Sequence, residues 1–375
     1  MDSFERAYLA LLRGDPSGKE PSPEELAQRT GLSLAEADAR AAVVRKARAR
    51  LADMLAGDCG IEQRTPAWYA ARDELITASD IAQALGKGKF GTRDDLLWKK
   101  ILRTPSQDPA PGEFNPFIWG VIFEPVASQL YQQAREGVAC HEFGLIRHPT
   151  IPHVGCSPDG VTQLGVMLEI KCPFKRRIQE GEMVEQYRIQ VQAQMEVADL
   201  DQCDFIEVEL DQYATLMEME EDARRGWEHK GLVLSDAAIK VHAYSPPGLD
   251  AAGLRAWVAA QGRDPDDLDA TATLWGLRKI AVQRIARDRA LWAEIAPLVK
   301  QFWDDVVAGR ASGAQRPIKA PSKPRTKKVH ALPPFPTALF AALPVAPTVA
   351  PRSAQAASAM SAFFASMGAR YGGPA

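Results

Sequence analysis

Two apolar patterns in the middle of the chain predict strands. Residues 166–168 form a short apolar run that continues into Glu169, Ile170 and Lys171, which is typical of a buried strand. Because residues two apart share one face of a strand, Glu169 and Lys171 are expected to point the same way. Residues 204–210 alternate between apolar and polar side chains and predict a second strand.

A small helical module is predicted for residues 1–57. Ser22 followed by Pro23 is a helix-start signal, and Gly31 followed by Ser33 indicates a turn and a second helix cap. The outline resembles a helix-turn-helix. Acidic residues occupy the first turns of the second helix, where bases would be approached, so the pattern favours an interaction module over DNA contact.

Three longer stretches also have helical patterns. Residues 115–131 predict a helix that carries Glu124 on an otherwise apolar face. Residues 185–195 predict a helix with Gln190 on one side, and residues 277–307 predict a long amphipathic helical region. Glu124 is a candidate site carboxylate, although a glutamate near a helix start also suits the helix dipole.

Composition and charge are those of a globular protein with an uneven charge distribution. Hydrophobic residues make up 46% and charged residues 25% of 375 residues, which is enough for one large or two modest domains. The net charge is −3, yet residues 311–375 contain eight Lys and Arg and no acidic residue. The acidic remainder argues against non-specific wrapping of DNA and leaves room for a local basic groove.

Shifts in composition predict the domain limits. Residues 58–310 are expected to form the main domain, with an insertion at about 216–275, where prolines and acidic residues indicate loops. Residues 311–375 are rich in Pro, Ala, Ser and Lys and predict a flexible tail, with an amphipathic pattern over 356–371 that suits a short helix. No signal peptide or membrane-length apolar run is visible, so we expect a cytoplasmic protein with free cysteines and no membrane contact.

The candidate chemistry lies beside the first predicted strand. Residues 157–160 read S-P-D-G, a turn signal, and Asp159 reaches the face of Glu169 and Lys171 if the two segments pair as a hairpin. Two carboxylates beside one ammonium are costly to desolvate unless something binds them. A hard divalent cation such as Mg²⁺ fits, with the lysine orienting or activating water. A plain turn with a cross-strand ion pair is the alternative reading.

A second candidate site follows residue 64. Ser79 lies at a predicted helix start, where backbone N–H groups, its hydroxyl and the Arg72 guanidinium could together hold a phosphate. Ser79 as a simple helix cap and Arg72 as a surface residue remain open at this point.

The order of these segments is similar to that of the λ-exonuclease/YqaJ-type viral recombinase family of the PD-(D/E)xK nuclease superfamily. The similarity covers about residues 62–215 and 277–309. It rests on W-Y-A-A-R-D-E-L-I-T-A-S, W-G-V-I-F-E, C-S-P-D-G, L-E-I-K-C-P-F and Y-R-I-Q-V-Q-A-Q-M. It implies an α/β fold with a restriction-endonuclease-like core, a mixed central sheet flanked by helices, to which this chain adds the N-terminal helical module and the flexible tail.

The resemblance also implies roles for individual residues. Asp159 and Glu169, with the backbone carbonyl of Ile170, become metal ligands, and Lys171 orients or deprotonates the attacking water. Glu124 supports a second metal or its waters, and Gln190 positions the water or the lysine. The implied pocket for a terminal 5′-phosphate consists of Arg72, Ser79, Ser157 and Arg177.

The implied activity is Mg²⁺-dependent hydrolysis of duplex DNA from 5′-phosphorylated ends, with Mn²⁺ as a substitute ion. It would leave 3′ single strands for phage-type recombination. Expected partners are double-stranded DNA ends, a phage single-strand annealing protein and two further copies in a homotrimer, in the bacterial host cytoplasm if the protein is phage-encoded. An endonuclease with the same site, structure-specific or nonspecific, and a non-catalytic DNA-end-binding module are the alternatives.

Overall fold

A seven-stranded sheet forms the centre of the protein in a computed structural model, which describes residues 1–57, 60–104, 116–179, 181–236 and 241–316. The strands in this part of the chain are β1 (Ile76–Thr77), β2 (Cys140–His141), β3 (Ile146–Arg147), β4 (Val154–Cys156), β5 (Gly160–Thr162), β6 (Met167–Lys171), β7 (Gln202–Tyr213), β8 (Lys230–Asp236), β9 (Val241–Tyr244) and β10 (Ala272–Ala286). The large sheet has the order β2-β5-β6-β7-β10-β8-β9, and β1-β4-β3 form a small second sheet.

Helices surround these sheets. Within the described residues they are α1 (Ser3–Gly14), α2 (Pro23–Thr30), α3 (Leu34–Ala56), α4 (Pro66–Asp73), α5 (Ala78–Ala84), α6 (Arg93–Ile101), α7 (Pro116–Ala134), α8 (Glu185–Ala198), α9 (Leu216–Glu221), α10 (Ala251–Ala260), α11 (Leu268–Thr271) and α12 (Arg289–Ala311). None of the helices described is long and apolar enough to span a membrane.

The central sheet is mixed and has helices on both faces. β6 and β7 run parallel, and the other pairs in this sheet are antiparallel. Alternate residues of β6 face opposite sides, as a pleated strand requires: Met167 packs with residues of α8, and Leu168 packs with residues of α7. The predicted fold class, α/β with a mixed sheet between helices, is confirmed.

The N-terminal residues form the predicted helices. Gly31 separates α2 from α3 in a left-handed conformation with φ of 73°, which glycine adopts without steric cost. Much of the basic character of α3 is used within the protein, since Lys46 pairs with Asp201 at 2.7 Å and Arg50 donates to the Ala198 carbonyl at 2.8 Å. The limits of this module and of the main domain stay predictions.

The predicted helix over 277–307 is wrong in its first ten residues. Residues 277–286 belong to β10, which pairs with β7 along nearly its whole length, and α12 begins only at Arg289. Pairing with the long β7 outweighs the local helical pattern, because strand formation depends strongly on tertiary context.

The region predicted as an insertion supplies β8 and β9 at one edge of the large sheet, and its extent stays a prediction. The tail and its predicted helix at 356–371 lie outside the described residues. The four described cysteines, Cys140, Cys156, Cys172 and Cys203, are free, as expected.

Candidate active site

A hairpin places the two carboxylates and the lysine together. β5 and β6 pair antiparallel directly after the S-P-D-G turn, as the sequence predicts. The Asp159 N–H donates to the Leu168 carbonyl at 3.2 Å, and the Ile170 N–H donates to the Asp159 carboxylate at 2.6 Å. The side chain of Asp159 is therefore fixed on the strand that carries Glu169 and Lys171.

Glu169 is the most strongly held group of the site. It is 1% exposed and accepts hydrogen bonds from Lys171 and from two amides of α8. Gln190 donates to one carboxylate oxygen and Gln194 to the other, each at 2.7 Å. The two glutamines lie four residues apart on one face of the helix. This set of donors fixes the orientation of the carboxylate.

The remaining acidic groups share a surplus of negative charge. Burial, then Glu169, then Glu124 raise the pKa of Asp159 well above its usual range, although Lys171 and the Ile170 N–H act against this. Burial raises the pKa of Glu124 as well, with Arg64 partly compensating. Burial alone would lower the pKa of Lys171, but Glu169 and Asp159 outweigh it and raise that pKa. A bound cation would relieve this unfavourable state.

The oxygen atoms of Asp159, Glu169 and the Ile170 carbonyl are suitable ligands for a hard divalent ion that is bound by only a few protein groups. In the described ranges no three His, Cys, Asp or Glu side chains are grouped tightly enough to hold a metal. Glu124 pairs instead with Arg64, with 2.7 Å between the guanidinium nitrogen and the carboxylate oxygen. Asp159, Glu169 and the Ile170 carbonyl would leave coordination positions for water and phosphate oxygens, as Mg²⁺ requires. The roles of these residues as ligands stay predictions.

The candidate phosphate-binding residues line the same cleft as the carboxylates. The Arg72 guanidinium stacks on Trp68, 4.3 Å from the ring centroid, and donates to the Ser79 hydroxyl at 3.3 Å. The Trp68 indole N–H donates to the Ser157 hydroxyl at 3.0 Å. Trp68 on α4 thus contacts the S-P-D-G turn directly, and through Arg72 it is linked to Ser79 in the first turn of α5.

An ion pair between Lys100 and Asp80 holds the backbone at Arg72 in place. The Lys100 ammonium, 3% exposed, contacts Asp80 at 2.9 Å and donates to the Arg72 carbonyl at 2.7 Å. Asp80 also accepts from the Thr77 hydroxyl at 2.9 Å and completes the cap of α5. Burial would raise the pKa of Asp80, but Lys100 and then Arg72 outweigh it and hold that pKa well below its usual range.

One cleft contains most of the residues predicted from the sequence. Its lining includes Arg72, Ser79, Glu124, Ser157, Asp159, Glu169, Lys171 and Gln190. Arg177 is not part of the lining: its guanidinium pairs with Glu209 at 3.0 Å. The Glu209 carboxylate is buried and needs a counter-charge, which explains the position of Arg177. Its role toward phosphate stays a prediction.

The cleft also contains residues that the site prediction omitted, namely Gln63, Arg64, Trp68 and Gln194. Trp68 lies four residues before Arg72, and Gln194 four after Gln190, so helical spacing could have identified both. Gln63 and Arg64 lie before α4 in a segment without periodicity, which gives no comparable signal.

Arg64 has an unusual backbone conformation. Its φ is 63°, a left-handed value that costs an arginine about 1–2 kcal/mol. Its pair with Glu124 is partly open to solvent, since the two side chains are 42% and 25% exposed, and such pairs contribute about 0–1 kcal/mol. The stability gained from the ion pair does not offset the cost of the backbone.

Comparison with known proteins identifies a family domain in the segment that contains this cleft. A model of the YqaJ-like viral recombinase domain matches residues 67–201. This segment contains the β5–β6 hairpin, helix α8 with Gln190 and Gln194, and the candidate phosphate-binding residues Arg72, Ser79 and Ser157. Residues 67–201 are therefore similar to the YqaJ-like viral recombinase domain, and this match confirms the predicted λ-exonuclease/YqaJ-type resemblance over that segment.

Individual relatives are more distant. An uncharacterized protein of Acanthamoeba polyphaga mimivirus is 25% identical over 294 residues, which are 66% of this chain and 52% of the viral protein. The chain thus spans about half the length of that relative. Among solved structures, an alkaline exonuclease from Laribacter hongkongensis is 25% identical with a TM-score of 0.43, covering 66% of this chain and 95% of that one. A phage-related exonuclease from Haemophilus somnus is 14% identical with a TM-score of 0.37, covering 64% and 96%.

Proposed function

We propose that the protein is a Mg²⁺-dependent DNA exonuclease that hydrolyses duplex DNA from 5′-phosphorylated ends. The observation that carries this proposal is the continuity of the cleft. Asp159, Glu169 and Lys171 line the same cavity as Arg72, Ser79 and Ser157. A terminal phosphate held by Arg72, Ser79 and Ser157 would place the neighbouring phosphodiester bond beside the carboxylates and the lysine.

The residues of the chain divide the work of hydrolysis. Asp159 and Glu169, with the Ile170 carbonyl, would hold Mg²⁺, or Mn²⁺ in its place. Such an ion lowers the pKa of bound water and stabilises charge on the reacting phosphate. Lys171, already bonded to Glu169, would orient the attacking water. Gln190 and Gln194 keep Glu169 in place through their amide groups.

The expected preference for 5′-phosphorylated ends follows from the residues that would bind the terminal phosphate. A terminal phosphate carries more negative charge than an internal diester and offers three terminal oxygens. The Arg72 guanidinium and the hydroxyls of Ser79 and Ser157 would each donate to one of them, and charge-assisted bonds of this kind are the strong ones. An internal phosphate would satisfy fewer of these donors.

Degradation of labelled duplexes tests the proposal. The protein should digest linear DNA with a 5′-phosphate in Mg²⁺ or Mn²⁺, digest the 5′-hydroxyl duplex more slowly, and leave closed circular DNA intact. Cutting of circles at a comparable rate would indicate an endonuclease, and binding of ends without any cleavage would indicate a non-catalytic module. Either result would overturn the proposal of exonuclease activity.

The wider role belongs to the same proposal. Resection of 5′ strands leaves 3′ single strands that a single-strand annealing protein can pair with a homologous sequence. The family relationship supports this use in recombination, together with a homotrimer around the duplex. Mass determination in solution, with and without DNA ends, would test the trimer independently of cleavage.

A further inference from the structure

Arg64 lines the same cleft as the carboxylates and the candidate phosphate-binding residues. Its guanidinium donates to the Glu124 carboxylate at 2.7 Å, and both residues line the cavity. The preceding Gln63 fixes this segment, because its amide donates to the carbonyls of Phe143 at 3.0 Å and Pro158 at 3.3 Å. The residue before Arg64 is thus tied to the turn that carries Asp159.

A structural role explains Arg64 poorly. Glycine would adopt its left-handed backbone without steric cost, whereas the ion pair formed by the arginine is partly solvated and weak. Strained backbone conformations cluster at functional sites, where the side chain they present is needed. The observation therefore points to a use of the guanidinium inside the cleft.

The charges of the cleft indicate when that use arises. Arg64, Arg72 and Lys171 balance the carboxylates of Glu124, Asp159 and Glu169 among the charged groups of its described lining. A divalent cation bound by these carboxylates would reduce the negative charge that Arg64 faces. The guanidinium would then be available to an anion entering the cleft.

We propose that Arg64 is a DNA-contact residue that exchanges partners, pairing with Glu124 in the free protein and with a phosphodiester oxygen of the bound strand in the complex. The planar guanidinium suits this exchange, because it presents the same paired N–H groups to a carboxylate and to a phosphate. The inference rests on the proposed function, since it needs duplex DNA in this cleft.

A double-mutant cycle separates DNA contact from simple neutralisation of Glu124. Wild type, Arg64→Gln, Glu124→Gln and the double variant are titrated in Mg²⁺ with a fluorescent 5′-phosphorylated duplex whose end linkages are non-hydrolysable, so that the cation is present and no cleavage occurs. In the Glu124→Gln background, loss of Arg64 should weaken binding about tenfold. The slope of log affinity against log salt should also fall by about 0.9, the contribution of one phosphate contact.

The opposite result is equally clear. If Arg64 only neutralises Glu124, its removal will have no effect once Glu124 is uncharged, and unchanged affinity and salt slope would overturn the inference. Arg64→Gly serves as the second variant, because glycine fits the backbone, and it should lose the same affinity without a lower melting temperature.

Arg103 provides a matched control. It also has a left-handed backbone, with φ of 48°, and it pairs with a glutamate, Glu74, outside the cleft. Arg103→Gln should leave both affinity and salt slope unchanged, and an equal loss there would overturn the inference. Wild type that neither binds nor cuts duplex DNA would overturn the proposed function itself, whereas active wild type with unchanged Arg64 variants would overturn only the contact.

Discussion

The two halves of the cleft are held in different ways. In the carboxylate half, Glu169 receives three side-chain donors and Asp159 a backbone N–H, with Glu169 buried and Asp159 half-buried. In the phosphate half, Arg72 rests on the Trp68 ring and makes one long hydrogen bond to Ser79, of 3.3 Å. Groups that must align a reaction are fixed by the protein, and groups that receive the substrate keep bonding capacity for it.

Electrostatics separate the halves as well. The pKa of Asp159 is raised by burial and then by neighbouring carboxylates, whereas Lys100 and Arg72 overcome the effect of burial and lower the pKa of Asp80. One half therefore has a surplus of negative charge and the other a surplus of positive charge. This polarity matches a metal cation on one side and a phosphate on the other.

The largest expected effect comes from removing charge in the carboxylate half. Asp159→Asn should reduce cleavage in Mg²⁺ by about 10³-fold or more, because it removes a proposed metal ligand. The melting temperature should stay the same or rise, since the variant removes a charge crowded by Glu169 and Glu124 while keeping an oxygen for the Ile170 N–H. Near-wild-type turnover would contradict the assignment of Asp159.

In the phosphate half, Asp80→Asn should reduce the stability of the protein. The variant leaves Lys100 buried without its counter-charge, which should lower the free energy of unfolding by about 3 kcal/mol near pH 7. Because the folded pKa of Asp80 lies below its ordinary value of 3.8, its contribution is complete above that value and is lost as the pH falls through the folded pKa.

Urea unfolding at several pH values measures this dependence. The difference between wild type and Asp80→Asn should be constant from about pH 6 to about pH 8 and should shrink below about pH 4. A difference that grows toward acid would show that Asp80 is not the stabilising ion in this pair.

A smaller effect is expected at the glutamine helix. Gln194→Ala removes a donor to buried Glu169 and should slow single-turnover cleavage by about tenfold, because a hydrogen bond to a charged group is worth about 1.5–3 kcal/mol. Gln192 is the control: it is buried on the same helix, but its amide donates to the Ala286 carbonyl at 2.9 Å. Gln192→Ala should lower the melting temperature without a comparable loss of rate, and equal loss of rate in both would contradict a specific role for Gln194.

The sequence predicted the carboxylate half more completely than its surroundings, for physical reasons. The S-P-D-G turn and the strand with Glu169 and Lys171 are local features, so turn chemistry and a two-residue period are sufficient to place them. Distant pairings decide the rest. Residues 277–286 became a strand through β7, and Arg177 turned toward Glu209 on another strand. The left-handed backbone of Arg64 has no sequence signal, since an arginine there is unexpected.

The last of these effects, similar in size to that of Gln194→Ala, tests the phosphate half by comparing two substrates. Arg72→Ala should slow digestion of a 5′-phosphorylated duplex by about tenfold, corresponding to about 1.4 kcal/mol, and should barely change digestion of the 5′-hydroxyl duplex. The reason is that the extra charge of the terminal phosphate is absent from the second substrate, so the guanidinium has no strong acceptor to lose. Single-turnover digestion of both substrates by wild type and variant gives the comparison. Equal rates on the two ends for wild type, or equal losses on both for the variant, would show that this half of the cleft does not recognise the end phosphate.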